Sequence, residues 1–298
     1  MKIAAIIPCY NEELTIKQVI CDIQKYCPKC EIYVFDNNSS DNSYNIAKET
    51  RAIVKKVMYQ GKGEVVRNAF SIIDADIYIL IDGDGECDAS AIPSLIDYLI
   101  NEDLDMITVI RKAGKYRKGH SFGNMMLTGF ANFLFGKKFN DMLSGYRIFS
   151  KRFVKSFPAN SRGFEIETEL TIYALQMRLP IDEVSAKYIK RPEGSHSKLN
   201  TFKDGFRILF TIIYLLITEK PLLFFNTISL IFLGIGLFLG IGITIEYFET
   251  LKVERFPTAI LTICLIILSG LSFSIGLLMK AISKVLSENR RFKYNSVK

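Results

Sequence analysis

The chain has 298 residues, of which 49% are hydrophobic and 23% are charged, and its formal net charge is +7. This composition excludes intrinsically disordered, collagen-like and low-complexity proteins. The length suits one domain of ordinary size with a smaller addition. Residues 1 to about 207 mix charged and apolar side chains as a soluble domain does, whereas two later stretches carry no charge.

The part before residue 207 alternates short apolar strands with amphipathic helices. Strands are predicted over residues 2–7, 31–35, 53–59 and 77–81. Between the first two strands, Ile16, Val19, Ile20 and Ile23 recur at the spacing of one helix face. Strands that alternate with helices predict an α/β fold, in which a mainly parallel sheet is covered by helices on both faces.

Polar residues follow each of these strands. They lie at residues 10–13, 36–41, 61–62 and 82–86. Sheets of this kind bind ligands at the carboxyl ends of their strands. We therefore expect the four polar clusters to meet in one crevice.

The segment Asp82-Gly83-Asp84-Gly85-Glu86 places three carboxylates within five residues, directly after a predicted buried strand. Hard oxygen ligands at this density suit Mg²⁺ or Mn²⁺, especially when a substrate diphosphate supplies further ligands. An acidic turn is the alternative, because Asp-Gly pairs are common in turns. The pattern is not an EF-hand loop, and Gly61-Lys62-Gly63 is not part of a P-loop.

The two uncharged stretches are residues 222–245 and 258–279. Each exceeds the about 20 residues that a helix needs to cross the hydrocarbon core of a membrane. Two buried helices of a soluble core are the alternative, but such helices normally show a polar face. Lys and Arg flank the outer ends of both stretches, which predicts that both ends face the cytoplasm. Gly236 and Gly240 form a G-x-x-x-G pair, a weak indication of a helix partner.

The net charge suits a protein that lies against an anionic membrane surface. Nucleic acid is the rival partner, and we do not expect it, because no basic stripe is interleaved with aromatic residues. The six cysteines are interpreted as free thiols of a reducing compartment. Cys27 and Cys30 form a single C-x-x-C pair, and the second pair that a zinc site would require is missing.

Six short segments carry a resemblance to a known family. They are residues 7–13 (IPCYNEE), 36–41 (DNNSSD), 61–63 (GKG), 82–84 (DGD), 142–147 (MLSGYR) and 191–198 (RPEGSHSK). In this order they resemble family 2 glycosyltransferases with the GT-A fold, a Rossmann-like sheet. Together with the two apolar stretches they are similar to the polyprenyl-phosphate glycosyltransferases, the group that contains dolichyl-phosphate mannose synthase and the bacterial undecaprenyl-phosphate sugar transferases.

The resemblance implies a site for a nucleotide sugar and a divalent cation, Mg²⁺ or Mn²⁺. Asp84 would hold the metal, and Glu86 falls where relatives of the mannose synthase type have a Gln that also reaches it. Asp84 also belongs to the expected catalytic set. The nucleotide-sugar pocket would be lined by Pro8, Tyr10, Asn11, Glu12, Asp36, Asn38, Lys62, Asp82 and Gly83.

The resemblance also suggests cations for a lipid phosphate, because guanidinium groups bind phosphate in bidentate fashion. Asp141 and Arg147 complete the expected catalytic set, with Asp141 assigned to positioning or weak base work; the alternative is that it only caps the following turn. Solvated surface cations are the alternative for the basic residues. The candidates for the lipid phosphate are Arg111, Arg117, Arg147 and Lys198.

The implied reaction is inverting transfer of one sugar from a nucleotide sugar to a polyprenyl phosphate, for cell-envelope glycan synthesis or modification. The resemblance favours a UDP-hexose or UDP-N-acetylhexosamine donor. A glycan or lipid-linked oligosaccharide acceptor is one alternative, and a catalytically silent membrane scaffold is another. The absence of Trp argues against processive synthases, which usually carry a Q-x-x-R-W motif.

The predicted organisation is a GT-A domain over residues 1–200, an amphipathic juxtamembrane helix over 201–220, a transmembrane hairpin over 221–280 and a basic tail over 281–298. We expect an integral protein of the bacterial inner membrane with the catalytic domain and both termini in the cytoplasm. The hairpin is compatible with a homodimer or homotetramer. A further helix is predicted over residues 164–177, with Glu165, Glu167 and Glu169 on a solvated face. The alternative is that this segment helps to close the acceptor side of the site.

Overall fold

The computed structural model describes residues 1–111, 118–135, 139–189, 191–192, 194 and 201–297. The chain folds into two compact units. Unit 1 contains Met1–Ile212 and Arg290–Lys298, and unit 2 contains Ile213–Asn289.

Unit 1 is built on a seven-stranded sheet, counted over the described residues. The strands are β1 (Ile3–Cys9), β2 (Cys30–Asp36), β3 (Ile53–Lys56), β4 (Ile77–Leu80), β5 (Met106–Arg111), β6 (Arg147–Ser150) and β7 (Ile181–Ala186). Their order across the sheet is β3-β2-β1-β4-β6-β5-β7. β6 runs antiparallel to both of its neighbours, β4 and β5, and the other pairs are parallel. The predicted α/β fold with a mainly parallel sheet is confirmed.

Helices cover both faces of the sheet. They are α1 (Ile16–Tyr26), α2 (Ser43–Lys48), α3 (Lys62–Ile72), α4 (Ile92–Asn101), α5 (Lys118–Phe135), α6 (Lys151–Ser156) and α7 (Ile166–Met177). Successive residues of a strand point to opposite faces, so Tyr78 and Leu80 of β4 enter one core and Ile77 and Ile79 enter the other. The first core receives α3 and α7, and the second receives α1 and α4.

Three helices follow the sheet domain: α8 (Thr201–Glu219), α9 (Pro221–Thr250) and α10 (Phe256–Ser296). By length and composition, α9 and α10 can each cross a membrane. Within unit 2 these two helices pack through small residues. A Cβ added to Gly236 would lie 3.2 Å from Ile266 Cγ1, and the hydroxyls of Ser229 and Ser269 lie 3.0 Å apart. The glycine pair noted in the sequence therefore faces a helix of the same chain.

The C-terminal end of α10 returns to the sheet domain and belongs to unit 1. Arg291 donates a hydrogen bond to the carbonyl of Met177 at 2.8 Å, and the Tyr294 hydroxyl donates to the buried carboxylate of Asp105 at 2.6 Å. The sequence pattern indicated only a basic tail here. The structure shows that the end of this tail is anchored by specific hydrogen bonds.

The cysteine prediction is wrong for one pair. The structure joins Cys27 and Cys30 in a disulfide at the turn between α1 and β2. Cys9, Cys21, Cys87 and Cys264 are free. Two cysteines three positions apart meet here because the chain reverses direction between the helix and the strand.

Candidate active site

The four polar clusters meet at the carboxyl edge of the sheet, as expected. The Asn11 amide N–H donates to Ser39 Oγ at 3.0 Å, which joins the loop after β1 to the loop after β2. The Thr15 hydroxyl donates to the Gly83 carbonyl at 2.7 Å, which joins the first loop to the loop after β4. The Gly61 amide N–H donates to Asn37 Oδ1 at 2.7 Å and brings in the loop after β3.

Two asparagines shape this edge through their backbone. Asn11 has a φ of 53° and Asn38 a φ of 63°, both in the left-handed region. Asparagine tolerates this region better than other residues with a side chain, apart from Asp. The Asn11 side chain also accepts a hydrogen bond from the Ser40 amide at 2.8 Å. Both residues therefore set the path of the chain around the crevice.

Two of the six predicted pocket residues of the first two loops are buried, and Asn38 is exposed. Glu12 is 8% exposed and Asp36 is 2% exposed, while Pro8 and Tyr10 are half-buried. Asp36 Oδ1 is buried and has no hydrogen-bond partner within the described part of the chain. An acceptor atom in this state is costly unless a donor reaches it, and a bound ligand that carries an N–H or O–H group could supply that donor.

Lys62, at the start of α3, lies between two carboxylates. Its Nζ is 2.5 Å from Asp82 Oδ1 and 2.7 Å from Glu167 Oε1. Burial alone disfavours the charged ammonium, but the ion pairs with Asp82 and Glu167 raise the pKa of Lys62 above its usual range. Lys62 is therefore a fixed positive charge at the site.

The two glycines beside Lys62 allow a close approach of backbone. A Cβ on Gly63 would collide with the carbonyl oxygen of Ser161, and one on Gly61 would collide with that of Arg162. The Glu64 amide donates to the Arg162 carbonyl at 3.2 Å. The G-K-G segment therefore brings the start of α3 against the segment before α7.

The carboxylates after β4 surround a guanidinium. Arg191 donates to Asp84 Oδ2 through Nη2 and to Glu86 Oε1 at 3.0 Å through Nε. Burial raises the pKa of Asp84 to about 6, repulsion from Asp82 adds to this effect, and Arg191 opposes it. Gly83 leaves room for the Pro8 carbonyl, which would lie 3.2 Å from an added Cβ.

The residues present fit a divalent cation. Asp84 and Glu86 supply hard oxygen ligands, and Arg191 shows that a positive charge is stabilised between them. Among the described residues no cluster of three or more His, Cys, Asp or Glu side chains could hold a metal ion alone. Further ligands would have to come from a bound diphosphate.

The burial of Arg147 argues against the predicted contact of this residue with the lipid phosphate. Arg147 is fully buried, and its guanidinium donates to the carbonyls of Ser144, Met142 and Glu167 at 2.6–3.1 Å and to Thr171 Oγ1 at 2.9 Å. No lipid headgroup can reach a side chain in this position. The guanidinium ties β6 to the loop that precedes it and to α7.

Asp141 caps a turn in the structure, which was the alternative to a role as a weak base. Its Oδ1 accepts a hydrogen bond from the Leu143 amide at 3.2 Å, which caps the turn before β6. Asp141 is 4% exposed. Two other lipid-phosphate candidates, Arg117 and Lys198, lie outside the described residues, and for Arg111 only the backbone is described.

Glu167 and Arg191 are site residues that the sequence reasoning missed. Glu165, Glu167 and Glu169 were expected on one solvated face, but Glu167 and Glu169 are 3% and 5% exposed. Residues two apart on an α-helix lie about 200° apart around its axis, so three alternating carboxylates cannot share one face. That spacing was the signal in the sequence that one solvated face could not hold all three carboxylates. For Arg191, the signal was its place in the RPEGSHSK segment that carries the family resemblance.

The chain is similar to known glycosyltransferases. The sequence model of glycosyl transferase family 2 matches residues 4–157. Glycosyltransferase AglJ of Haloferax volcanii is 29% identical over 278 residues, covering 91% of this chain and 89% of that protein. UDP-N-acetylglucosamine-dolichyl-phosphate N-acetylglucosaminyltransferase of Methanococcus voltae is 28% identical over 243 residues, covering 70% of this chain and 94% of that protein.

A solved structure shows the same fold. Glucosyl-3-phosphoglycerate synthase of Mycobacterium tuberculosis, in complex with Mn²⁺, UDP-glucose and phosphoglyceric acid, superposes with a TM-score of 0.59 at 21% identity. The match covers 72% of this chain and 79% of that one. It confirms the predicted GT-A fold. Since the family model spans just over half of the sequence, the chain belongs to glycosyl transferase family 2.

Proposed function

We propose that this protein transfers one sugar, with inversion, from a nucleotide sugar to a polyprenyl phosphate in a metal-dependent reaction. The observation that carries the proposal is the crevice in which Lys62, Asp82 and Asp84 meet at the carboxyl edge of a GT-A sheet. Family membership gives the reaction class. The Methanococcus voltae relative, named for a UDP-sugar donor and a dolichyl-phosphate acceptor, supports both substrates.

The donor is a UDP-hexose or UDP-N-acetylhexosamine in this proposal. The diphosphate would lie near Lys62, and Asp36 and the loop at residues 10–13 would contact the nucleoside. Mg²⁺ or Mn²⁺, held by Asp84 and Glu86, would neutralise charge on the leaving diphosphate. The Mn²⁺ and UDP-glucose in the Mycobacterium tuberculosis neighbour support this arrangement.

The acceptor phosphate needs alignment more than activation. Its oxygen attacks the anomeric carbon and the nucleoside diphosphate leaves. A phosphate monoester has its second pKa near about 6, so the nucleophile is already largely ionised at neutral pH. No strong base is required, and the turn-capping contact of Asp141 is compatible with this step. The chain's task is to bring two anions together and hold them in line.

A membrane-bound acceptor suits the apolar surface of α8. Phe206, Phe210 and Tyr214 lie along one face of this helix and are 61%, 68% and 62% exposed. Their spacing of four residues forms a stripe, and aromatic side chains favour the membrane interface. In this proposal α8 lies on the membrane surface, α9 and α10 span the inner membrane, and unit 1 is cytoplasmic.

The test is transfer of labelled sugar from a panel of UDP- and GDP-sugars to undecaprenyl phosphate in detergent. Wild-type protein is assayed with Mn²⁺ and with a chelator, beside Asp84→Asn and the control Asp97→Asn, which changes an exposed carboxylate on α4. We expect lipid-linked product only with metal, from wild type and Asp97→Asn. Binding of UDP without any lipid-linked product would reject the proposed acceptor.

A further inference from the structure

The Lys62 ammonium has one partner at the mouth of the site and one behind it. The Asp82 side chain is 31% exposed, whereas the Glu167 side chain is 4% exposed. Asp82 therefore faces the crevice, and Glu167 approaches Lys62 from the protein interior. Lys62 and Asp82 belong to the crevice of the proposed reaction, whereas Glu167 has no role in it so far.

The position of Lys62 favours a second carboxylate partner. Lys62 is the first residue of α3, and the amino end of a helix carries partial positive charge that disfavours a cation. Its side chain is 8% exposed, so water does little to offset that repulsion. A lysine stem is also flexible and its ammonium has no directional fork. Two carboxylates on opposite sides both stabilise the charge and fix its place.

Glu167 is itself held rigidly. Its backbone carbonyl accepts hydrogen bonds from Arg147 Nη2 at 3.1 Å and from Thr171 Oγ1 at 3.0 Å. Its neighbour along the helix, Glu169, has a different task, since its carboxylate accepts the backbone N–H groups of Asn160 and Ser161 at 3.0 and 2.7 Å. Of these two buried carboxylates, Glu167 is the one that points toward Lys62.

We propose that Glu167 is a positioning residue for sugar transfer: its carboxylate fixes the Lys62 ammonium beside Asp82, where that charge receives the anionic part of the donor. The proposal rests on the proposed function, because it assumes a nucleotide diphosphate in the crevice. Gly145 belongs to the same arrangement, because a Cβ at this position would collide with both Lys62 Nζ and Asp82 Oδ2. Arg147, Glu167, Lys62 and Asp82 thus form one connected chain of contacts.

The first test measures Lys62 directly and needs no sugar transfer. Glu167→Gln keeps the shape of the side chain and removes its charge, and Glu169→Gln makes the same change two positions along the same helix without touching Lys62. Acetylation of Lys62 is followed by mass spectrometry at fixed pH. Losing one of two partners should lower the pKa of Lys62 by at least about one unit, which means at least about tenfold faster labelling. Glu169→Gln should label at the wild-type rate.

The second test measures what the positioned charge does. UDP affinity with Mn²⁺ should fall by about tenfold in Glu167→Gln, and the KM for the nucleotide sugar should rise while kcat changes less. Glu167→Asp, which keeps the charge on a shorter stem, should recover part of both effects. Wild-type labelling in Glu167→Gln would overturn the proposal, and so would faster labelling with unchanged UDP affinity. Failure of lipid transfer would reject the proposed acceptor. Labelling of Lys62 and UDP affinity do not involve that acceptor, so they would still test the role of Glu167.

Discussion

Arg147→Met separates a structural role for this residue from a role in phosphate binding. The substitution removes the guanidinium and leaves an apolar side chain in its place. Four oxygen atoms lose a donor: the carbonyls of Ser144, Met142 and Glu167, and the hydroxyl of Thr171. All of these bonds are buried, so water cannot readily replace the guanidinium.

The expected cost follows from these contacts. The carbonyls of Ser144 and Met142 lose the guanidinium as donor, at a cost of about 1–3 kcal/mol each, whereas the Glu167 carbonyl keeps the hydrogen bond from the Thr171 hydroxyl. The variant also no longer buries a charge, which offsets part of the cost. We expect a net loss of about 3–5 kcal/mol in the free energy of unfolding. For a domain of this size, each kcal/mol lowers Tm by about 2–4 °C, so Tm should fall by about 6–20 °C.

The assay is thermal unfolding in detergent followed by circular dichroism, which suits a chain without Trp. Arg51→Met, at an exposed arginine, is the matched control and should melt with the wild type. If Arg147 bound the lipid phosphate instead, Tm would be unchanged and the KM for undecaprenyl phosphate would rise. That pair of results would refute the structural role.

Two further substitutions and one labelling experiment test other parts of the site. Arg191→Gln removes a cation that competes for the metal carboxylates, so Mn²⁺ should bind about tenfold more tightly without nucleotide, a gain of about 1.4 kcal/mol; calorimetry showing equal or weaker binding would contradict this. Gly63→Ala places a methyl group against the Ser161 carbonyl and should lower stability by about 1–3 kcal/mol in the same melting assay. Burial raises the pKa of the Cys9 thiol to about 12, so iodoacetamide at pH 8 should spare Cys9 while it modifies exposed Cys21.

The sheet and its crevice were predictable because their signals are local. The strand β4 is an apolar run with polar residues at its end, and the helical face Ile16 to Ile23 repeats at a single period. In a parallel sheet the ends of neighbouring strands must meet at one edge. The order of strands and polar segments along the chain therefore predicts that residues 10–13, 36–41 and 82–86 meet at one edge.

The environments of single charged side chains were not predictable in this way. Arg147 and Glu167 are 20 positions apart, and their contact depends on how α7 packs against β6. The motif resemblance indicated that Arg147 matters. It could not distinguish an arginine that binds phosphate from a buried arginine that stabilises the fold. The prediction for Glu167 assumed that charged residues of a helix face water, although three glutamates spaced two positions apart cannot share one face. In both cases long-range packing decided the role.

The charge around the crevice would couple the binding of the proposed donor to that of the proposed metal ion. Four carboxylates, Asp82, Asp84, Glu86 and Glu167, contact two cations, Lys62 and Arg191. With every group ionised, this cluster keeps two negative charges, and a nucleoside diphosphate adds more. Entry of the proposed donor alone would therefore be opposed by charge repulsion, and a divalent cation held by Asp84 and Glu86 would offset that repulsion. By linkage, each of the two ligands must then strengthen the binding of the other by the same factor.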